Sequence, residues 1–566
     1  MVQRPWLAHY DQGVPASLEP YPHLTLVDYL SANARDEPEH PVVLFKGATV
    51  TASRLERLSN AFAAALLDLG VSPGDRVALL LPNCPQFLIA EFGAWKAGAI
   101  VAPLDPASPT DELESLLAQI EPRVMITITS CYAGTRALKQ HLRIPHLLVT
   151  GIKEHLPHAS RFLFNFLQDV RDGHRVRLSP EDQWFPELLE SYRGAHRPRL
   201  TINADADATL LSTGGTGGDP KLVLGTHRAA VASGFQLSAW LRDFADSDTS
   251  VMMLALPLHH TTAMLPLQGL ALMARLPLAL VPEPRDVRDL LKTMQRVRPA
   301  FLSGSPAMFA SILDSPLARS GKIDFSSLKF CLTSGAPVPA DARARCEQVI
   351  GCAILDGYGL TESQSTITVN PAGGGRRTGS VGLPLPDTDV RICDFDLPHD
   401  ELSPGTIGEI WVSCPQQMRG YWRKSGDIPP VFIEDGGRQW LRTGDAGYLD
   451  VHGHLYLVGR VADMIRIEAD TVWPGEIEDV LALHPAVAEA GVAGVPDDRR
   501  GQLARAWVVP ASGFVPTEDE IRAHCADRLV SYKVPALMSF CDELPRTSAG
   551  ALLRRKLVER HREEAR

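Results

Sequence analysis

Apolar residues recur at helical spacing over positions 55–69, and Gly70 with Pro73-Gly74 stops the run. The next stretch, Arg76-Val-Ala-Leu-Leu-Leu-Pro82, is apolar without alternation and predicts a strand buried on both faces. Residues 86–97 predict a helix, and Ile100-Val-Ala-Pro103 predicts a second buried strand. Helix and strand patterns alternate in this way from residue 24 to residue 109, which argues for an α/β architecture with parallel sheets. Residues 152–200 are richer in charge and histidine and less periodic, so they read as an insertion between structural units. The alternation resumes at Thr209-Leu-Leu-Ser212, runs through Phe301 and Ile354, and gives way to β-rich sequence over 378–460. From Val461 onward the pattern predicts a compact α+β unit of roughly 100 residues. Its elements are a helix over 474–483, a strand over 504–509 and a helix over 518–529. The predicted boundary falls just after Arg460. It separates a large N-terminal domain of several subdomains (1–460) from a small C-terminal domain (461–566).

The length of 566 residues gives a prior of roughly three to four structural units. With 45% apolar and 22% charged residues the chain can bury a large core, which excludes a disordered protein. The net charge of −11 and the lack of long basic stretches argue against a nucleic-acid surface. The apolar stretch over 265–281 contains Gln268 and Arg275, so it reads as a buried element and not a membrane span. The opening MVQRPWLAHYDQG has no apolar h-region and does not read as a secretory signal. Nine cysteines without a C-x-x-C pair suggest reduced thiols in a cytoplasmic protein, not a disulfide frame or a zinc site.

Three stretches can carry chemistry. Ser212-Thr-Gly-Gly-Thr-Gly-Gly-Asp-Pro-Lys221 follows an apolar strand. Its glycines let backbone N–H groups approach an anion, and hydroxyls and a lysine add donors, which suits a phosphate. It is not a Walker A loop, because Leu222 follows the lysine; a glycine-rich turn without a ligand is the plain alternative. In Asp356-Gly-Tyr-Gly-Leu-Thr-Glu362 the ring can stack on a base, Thr361 can donate to phosphate and Glu362 can hold Mg²⁺; a tight turn with an inward tyrosine is the alternative. Trp440-Leu-Arg-Thr-Gly-Asp445, with Leu457-Val-Gly-Arg460 behind it, offers a carboxylate for vicinal ribose hydroxyls, or simply a solvated turn.

Other patterns carry less. Gly70-Val-Ser-Pro-Gly74 fits the hydrolase pattern G-x-S-x-G, but Pro73 lacks the N–H that an oxyanion hole needs at that position. His259-His260 has no third ligand at zinc spacing. Arg499-Arg500 reads as a solvated pair, with contact to a ligand's phosphates as the sharper option.

In this order and with these gaps, the three stretches resemble the adenylate-forming superfamily: acyl-CoA synthetases, peptide-synthetase adenylation domains and luciferases. Pro5-Trp-Leu-Ala-His9, residues 77–87, Leu256-Pro-Leu-His-His260 and Tyr532-Lys-Val-Pro535 look like its bacterial long-chain fatty acyl-CoA ligases. The resemblance implies two half-reactions: a carboxylate attacks ATP to give acyl-AMP, then the C-terminal domain rotates and the CoA thiol takes the acyl group. It implies a phosphate loop at Thr213, Gly214, Gly215, Thr216, Gly218 and Lys221. Gly335, Ala336, Pro337 and Tyr358 would flank the adenine, with Asp356 at its edge and Gly357 and Gly359 also in the acyl-AMP site. Thr361 would contact phosphate and Glu362 the metal, Asp445 and Arg460 would hold the ribose, and His260 would line the acyl–phosphate junction.

The departures from that pattern are as informative as the matches. The C-terminal signature Pro-x-Thr-x-x-Gly-Lys reads Pro545-Arg-Thr-Ser-Ala-Gly-Ala551, so an alanine stands where the adenylating lysine belongs. Losing one preorganised donor of this kind costs ~10²–10³ in rate. Gly217 replaces a threonine of the phosphate loop, Leu222 a glycine, and Ala462 a charged or polar hinge residue. Ala469 replaces a glycine that lines the CoA channel. Lys556 follows five residues after Ala551 and is not expected to substitute. The expectation is a non-adenylating acyl-CoA ligase that takes preformed acyl-AMP from a separate adenylating enzyme and gives acyl-CoA and AMP. ATP and Mg²⁺ would be vestigial, and an antibiotic-type biosynthetic pathway is the expected setting. The alternatives are a complete ATP-dependent synthetase in which Ala551 is engineered or compensated, and a non-catalytic acyl-adenylate-binding protein.

Overall fold

The helix Pro85–Lys96 is buried along its whole length, the pattern of an element covered on every side. What covers it is a core fed by two large sheets. A computed structural model of the chain describes residues 4–157, 176–213, 220–242, 250–333, 340–397, 399–422, 431–468, 470–546 and 552–564, with backbone alone at 340 and 341.

The first sheet has nine strands, ordered Leu383–Pro384, Ser365–Val369, Ala353–Leu360, Phe330–Thr333, Phe301–Gly304, Met252–Leu254, Leu278–Leu280, Pro41–Phe45 and Ala48–Thr51. Its central neighbours are parallel. The second has eight, running from Gly420–Tyr421 through Leu222–Thr226, Asp207–Ser212, Ile100–Pro103, Arg76–Leu80, Val124–Ile128 and His146–Thr150 to Gln183–Trp184. A five-stranded antiparallel sheet follows, built on Gly408–Ser413 and the long strand Arg438–Leu449, with Leu455–Arg460 pairing to the latter. A separate five-stranded sheet holds Ile465–Ile467, Asp470–Val472, Val487–Asp497, Gly501–Pro510 and Leu537–Phe540, packed with the helices Pro474–Ala482 and Glu518–Ala526 in its own core. This is the α/β architecture that the hydrophobic pattern predicts, with a β-rich part and a small α+β unit at the C-terminal end.

Details differ from the sequence pattern. Residues 152–200 are not purely inserted: Gln183–Trp184 pairs in parallel with His146–Thr150 and extends the second sheet. The helix expected to reach 529 ends at Ala526, where Asp527 caps it. The apolar stretch over 265–281 divides into the π-helical turn Ala263–Leu267, the helix Gln268–Met273 and the strand Leu278–Leu280. Among the described residues no helix is long and apolar enough to cross a membrane. All nine cysteines are free thiols.

Candidate active site

The phosphate-loop motif is the turn of a hairpin. Asp207–Ser212 pairs antiparallel with Leu222–Thr226, with Ser212 opposite Leu222. Thr213 N–H donates to the Lys221 carbonyl at 2.8 Å, and Lys221 N–H donates to Thr213 Oγ1 at 3.0 Å. These two bonds fix the mouth of the loop. Gly214, Gly215, Thr216, Gly217 and Gly218 lie outside the described residues. Leu222 is buried under the hairpin, so the residue after the lysine serves the core.

The hairpin also recruits a residue that the sequence does not single out. Gly420–Tyr421 pairs with Leu222–Thr226, with Tyr421 opposite Val223. This sets the Lys221 ammonium 4.9 Å from the Tyr421 ring centroid, within cation–π range. The Tyr421 hydroxyl donates to Glu362 Oε1 at 2.7 Å, and the Glu362 carbonyl accepts from Met418 N–H at 2.8 Å. Burial, then the Glu362 carboxylate, pushes the Tyr421 hydroxyl up, so it stays a proton donor. Tyr421 thereby joins the first motif to the second. With one oxygen pinned, the Glu362 carboxylate has a fixed direction and suits a magnesium ion brought in by a nucleotide, since magnesium typically takes one or two carboxylates plus phosphate oxygens. Thr361 precedes it at the surface of the same turn, its carbonyl accepting from Gln364 N–H at 3.0 Å.

The second motif begins on the strand Ala353–Leu360. Asp356 sits opposite Thr333 and is ion-paired with Arg343, a partner that the sequence pattern does not reveal. Its Oδ1 is buried and has no hydrogen-bond partner among the described residues, which leaves an acceptor at the predicted adenine edge. Burial raises the Asp356 carboxyl, against the pull of Arg343. Gly357 and Gly359 flank Tyr358 on the strand. At Gly359 a Cβ would lie 1.9 Å from the Ser365 carbonyl oxygen, so the close pairing of these strands requires glycine there. Gly335, Ala336 and Pro337 lie outside the described residues.

Tyr358 reaches the third motif. Its hydroxyl donates to Asp445 Oδ2 at 2.7 Å, while Arg460 Nε sits 2.8 Å from Asp445 Oδ1. Asp445 and Arg460 face each other across the antiparallel pair of Arg438–Leu449 and Leu455–Arg460. Asp445 is only 7% exposed, whereas the Arg460 side chain is 47% exposed, so the pair opens to solvent on the arginine side. Burial raises the Asp445 carboxyl and Arg460 pulls it back, the net direction being upward. Burial would lower Arg460, but Asp445, Tyr358 and Glu362 outweigh it and raise the guanidinium.

His260 follows the strand Met252–Leu254. Its carbonyl accepts from Ala263 and Met264 N–H at 3.1 and 3.0 Å, which starts the helical turn behind it. The side chain is accessible, yet the surrounding protein lowers its pKa, with Asp105 opposing. The lowered pKa favours the neutral imidazole. The His259 ring stands 4.7 Å from that of His260, and its Nε2 is 3.9 Å from Asp105 Oδ2.

Ala462 is exposed in the short turn Val461–Asp463, between the third sheet and the fourth. Ala469 and Ala551 lie outside the described residues. The flanks of the latter, Arg546 and Leu552, pair as an antiparallel bridge. Just beyond, Arg554 is anchored by Glu478 at 2.6 Å and Asp463 at 3.4 Å, while Lys556 is exposed on the last helix. Arg500 pairs with Glu468 at 2.8 Å.

A family model for the AMP-binding enzyme matches residues 30–422, and one for the AMP-binding enzyme C-terminal domain matches 476–551. The chain is 34% identical over 572 residues to a long-chain-fatty-acid–CoA ligase of Yersinia pestis, covering 98% of each. It is 32% identical over 562 residues to one of Bacillus subtilis (strain 168), covering 99% of each. The crystal structure of ATP-bound MatB from Rhodopseudomonas palustris superposes with a TM-score of 0.81 at 27% identity, covering 96% of this chain and 100% of that one. On these matches the chain belongs to the AMP-binding enzyme family.

Proposed function

We propose that this protein is a non-adenylating acyl-CoA ligase of the adenylate-forming superfamily, which transfers the acyl group of a preformed acyl-AMP to coenzyme A. One position carries this: Ala551, where the signature calls for the lysine that bridges the acid and the α-phosphate. The sequence keeps the groups that would hold a finished adenylate, which supports this reading. Asp445 is oriented from both sides by Tyr358 and Arg460 for the ribose, and Asp356 keeps an unsatisfied oxygen for the adenine edge. His260 offers a neutral imidazole for the acyl–phosphate junction. In the reaction, the CoA sulfur bonds to the acyl carbonyl carbon, the bond from that carbon to the phosphate oxygen breaks, AMP leaves, and the thiol proton passes to solvent.

The small domain, with its boundary after Arg460, would rotate about Ala462 to bring CoA in past Ala469. The sheet change on either side of Val461–Asp463 supports that hinge. Lys556 is exposed while the neighbouring Arg554 is turned inward on Glu478, which speaks against Lys556 as a replacement for the lysine. A separate adenylating enzyme would supply the acyl-AMP.

The test is paired. Synthetic acyl-AMP with CoA should give acyl-CoA and AMP, whereas free acid with ATP, Mg²⁺ and CoA should give almost none. Fast turnover in the second mixture would instead identify a complete synthetase. That second reading has one observation in its favour: Lys221, Tyr421 and Glu362 remain linked on the ATP side.

A further inference from the structure

We infer that Cys331 and Cys352 form an oxidisable dithiol, a modification site whose closure to a disulfide by a hydroperoxide weakens the adenylate pocket beside it. The effect on the pocket rests on the function proposed above; the dithiol itself does not.

The two sulfurs are 3.8 Å apart. Cys331 is fully buried in the strand Phe330–Thr333. Cys352 is partly exposed and immediately precedes the strand Ala353–Leu360. The two strands are parallel neighbours, with Cys331 opposite Ile354. A small oxidant therefore reaches Cys352 and finds a resolving thiol behind it, the arrangement typical of redox-responsive cysteines. The two thiols share one S–H···S contact, in which either sulfur can be the donor. That contact, and burial as well, raises Cys331, whereas Cys352 is lowered by its neighbour. Because Cys352 alone is open to solvent, it is the nucleophile and the buried Cys331 the resolving thiol.

The step balances. The Cys352 thiolate attacks one peroxide oxygen, the O–O bond breaks, and the alcohol (water, for hydrogen peroxide) leaves with a proton. The Cys331 sulfur then displaces the hydroxyl from the sulfenic acid, and its proton leaves with that hydroxyl as water. Two thiols and one hydroperoxide become one disulfide, one alcohol and one water; the sulfurs lose two electrons and the peroxide gains them.

A disulfide bond is about 2.05 Å long, so the sulfurs must close by about 1.7 Å. The strands that absorb this movement lead into the site. Phe330–Thr333 ends just before Gly335, Ala336 and Pro337, and Ala353–Leu360 carries Asp356 and Tyr358.

The test uses the full chain, reduced, treated with hydrogen peroxide and then alkylated. Cleavage after Arg345 and Glu347 by trypsin and a glutamyl protease separates Cys346 from Cys352 before mass mapping. The expected product is a Cys331–Cys352 link that dithiothreitol reverses. Affinity for a non-hydrolysable acyl-adenylate should fall by at least about tenfold on oxidation and return on reduction. Cys352→Ser should abolish both effects and leave the reduced affinity unchanged. No link, or a link through Cys346, overturns the dithiol; a link with unchanged affinity overturns the coupling. A reduced protein that binds no adenylate overturns the coupling along with the proposed function, while a mapped link would still support the dithiol.

Discussion

Asp445 has one carboxylate oxygen on the Tyr358 hydroxyl and the other beside the Arg460 guanidinium. A ribose diol would meet a carboxylate whose direction is already set, which lowers the ordering cost of binding. Asp445→Asn keeps the shape and removes the charge. A charge-assisted hydrogen bond contributes roughly 1.5–3 kcal/mol. Affinity for a non-hydrolysable acyl-adenylate should then fall about 10–100-fold by calorimetry; equal affinity in the two proteins would place the ribose elsewhere. The opposite manipulation is Ala551→Lys, which returns a single ammonium group. ATP–pyrophosphate exchange should rise by ~10²–10³, while transfer from acyl-AMP to CoA stays within about twofold, because that step does not use the group. No rise in exchange would show that the missing lysine is not what limits the first half-reaction.

Elements bring together what lies far apart in sequence, and here the limits of reading a sequence become visible. The hairpin turn from Thr213 to Lys221 is legible because glycines and a lysine cluster after an apolar strand. Tyr421, 200 residues further on, is not legible: it enters through a two-residue strand whose pairing leaves no periodic signal. Arg343 is hidden in the same way, as an arginine on an ordinary helix until the fold sets it on Asp356. The alternating helices and strands are legible because burial on one or both faces writes itself into the hydrophobic pattern, whereas the edge strand Gln183–Trp184 is too short to do so. In the background that restores adenylation, Tyr421→Phe would keep the ring over Lys221 and free the Glu362 carboxylate. A lost hydrogen bond of this kind contributes roughly 1.5–3 kcal/mol, so exchange should drop about tenfold or more, and an unchanged rate would disconnect Tyr421 from the metal carboxylate. Helix packing makes a separate demand. On the helix His227–Trp240, a Cβ at Gly234 would lie 2.8 Å from the Gly269 Cα. That contact is backbone and cannot swing aside, so Gly234→Ala should cost about 1–3 kcal/mol in urea unfolding; a neutral result would mean that the two helices separate freely.

At the scale of the whole molecule, residues 4–21 strap the β-rich part to the first sheet. Arg4 bonds Asp389, Trp6 is buried, the Tyr10 hydroxyl donates to the Pro384 carbonyl at 2.5 Å, and Tyr21 donates to Asp387 at 2.9 Å. The same burial that holds these units together fixes how the fold responds to acid, through groups of opposite sign. Burial raises Asp356, Asp445, Asp463 and Glu478, so in the native state they take up protons more readily than in the unfolded chain, and acid favours the fold at those sites. His227 does the reverse. It is 2% exposed, its ring is edge-on to Trp95 at 5.6 Å, and burial lowers its pKa to about 4. The unfolded chain protonates this histidine near pH 6.5 and the native state resists until about pH 4. Its contribution is therefore complete above pH 6.5 and is lost as pH falls toward 4. Comparing wild type with His227→Phe cancels the carboxylates and isolates this one group. Between pH 7 and pH 5 the wild type should lose about 2 kcal/mol more stability in urea titrations than the variant does. Equal losses would mean that His227 charges in the folded protein, and that the core between Trp95 and the helix His227–Trp240 admits water.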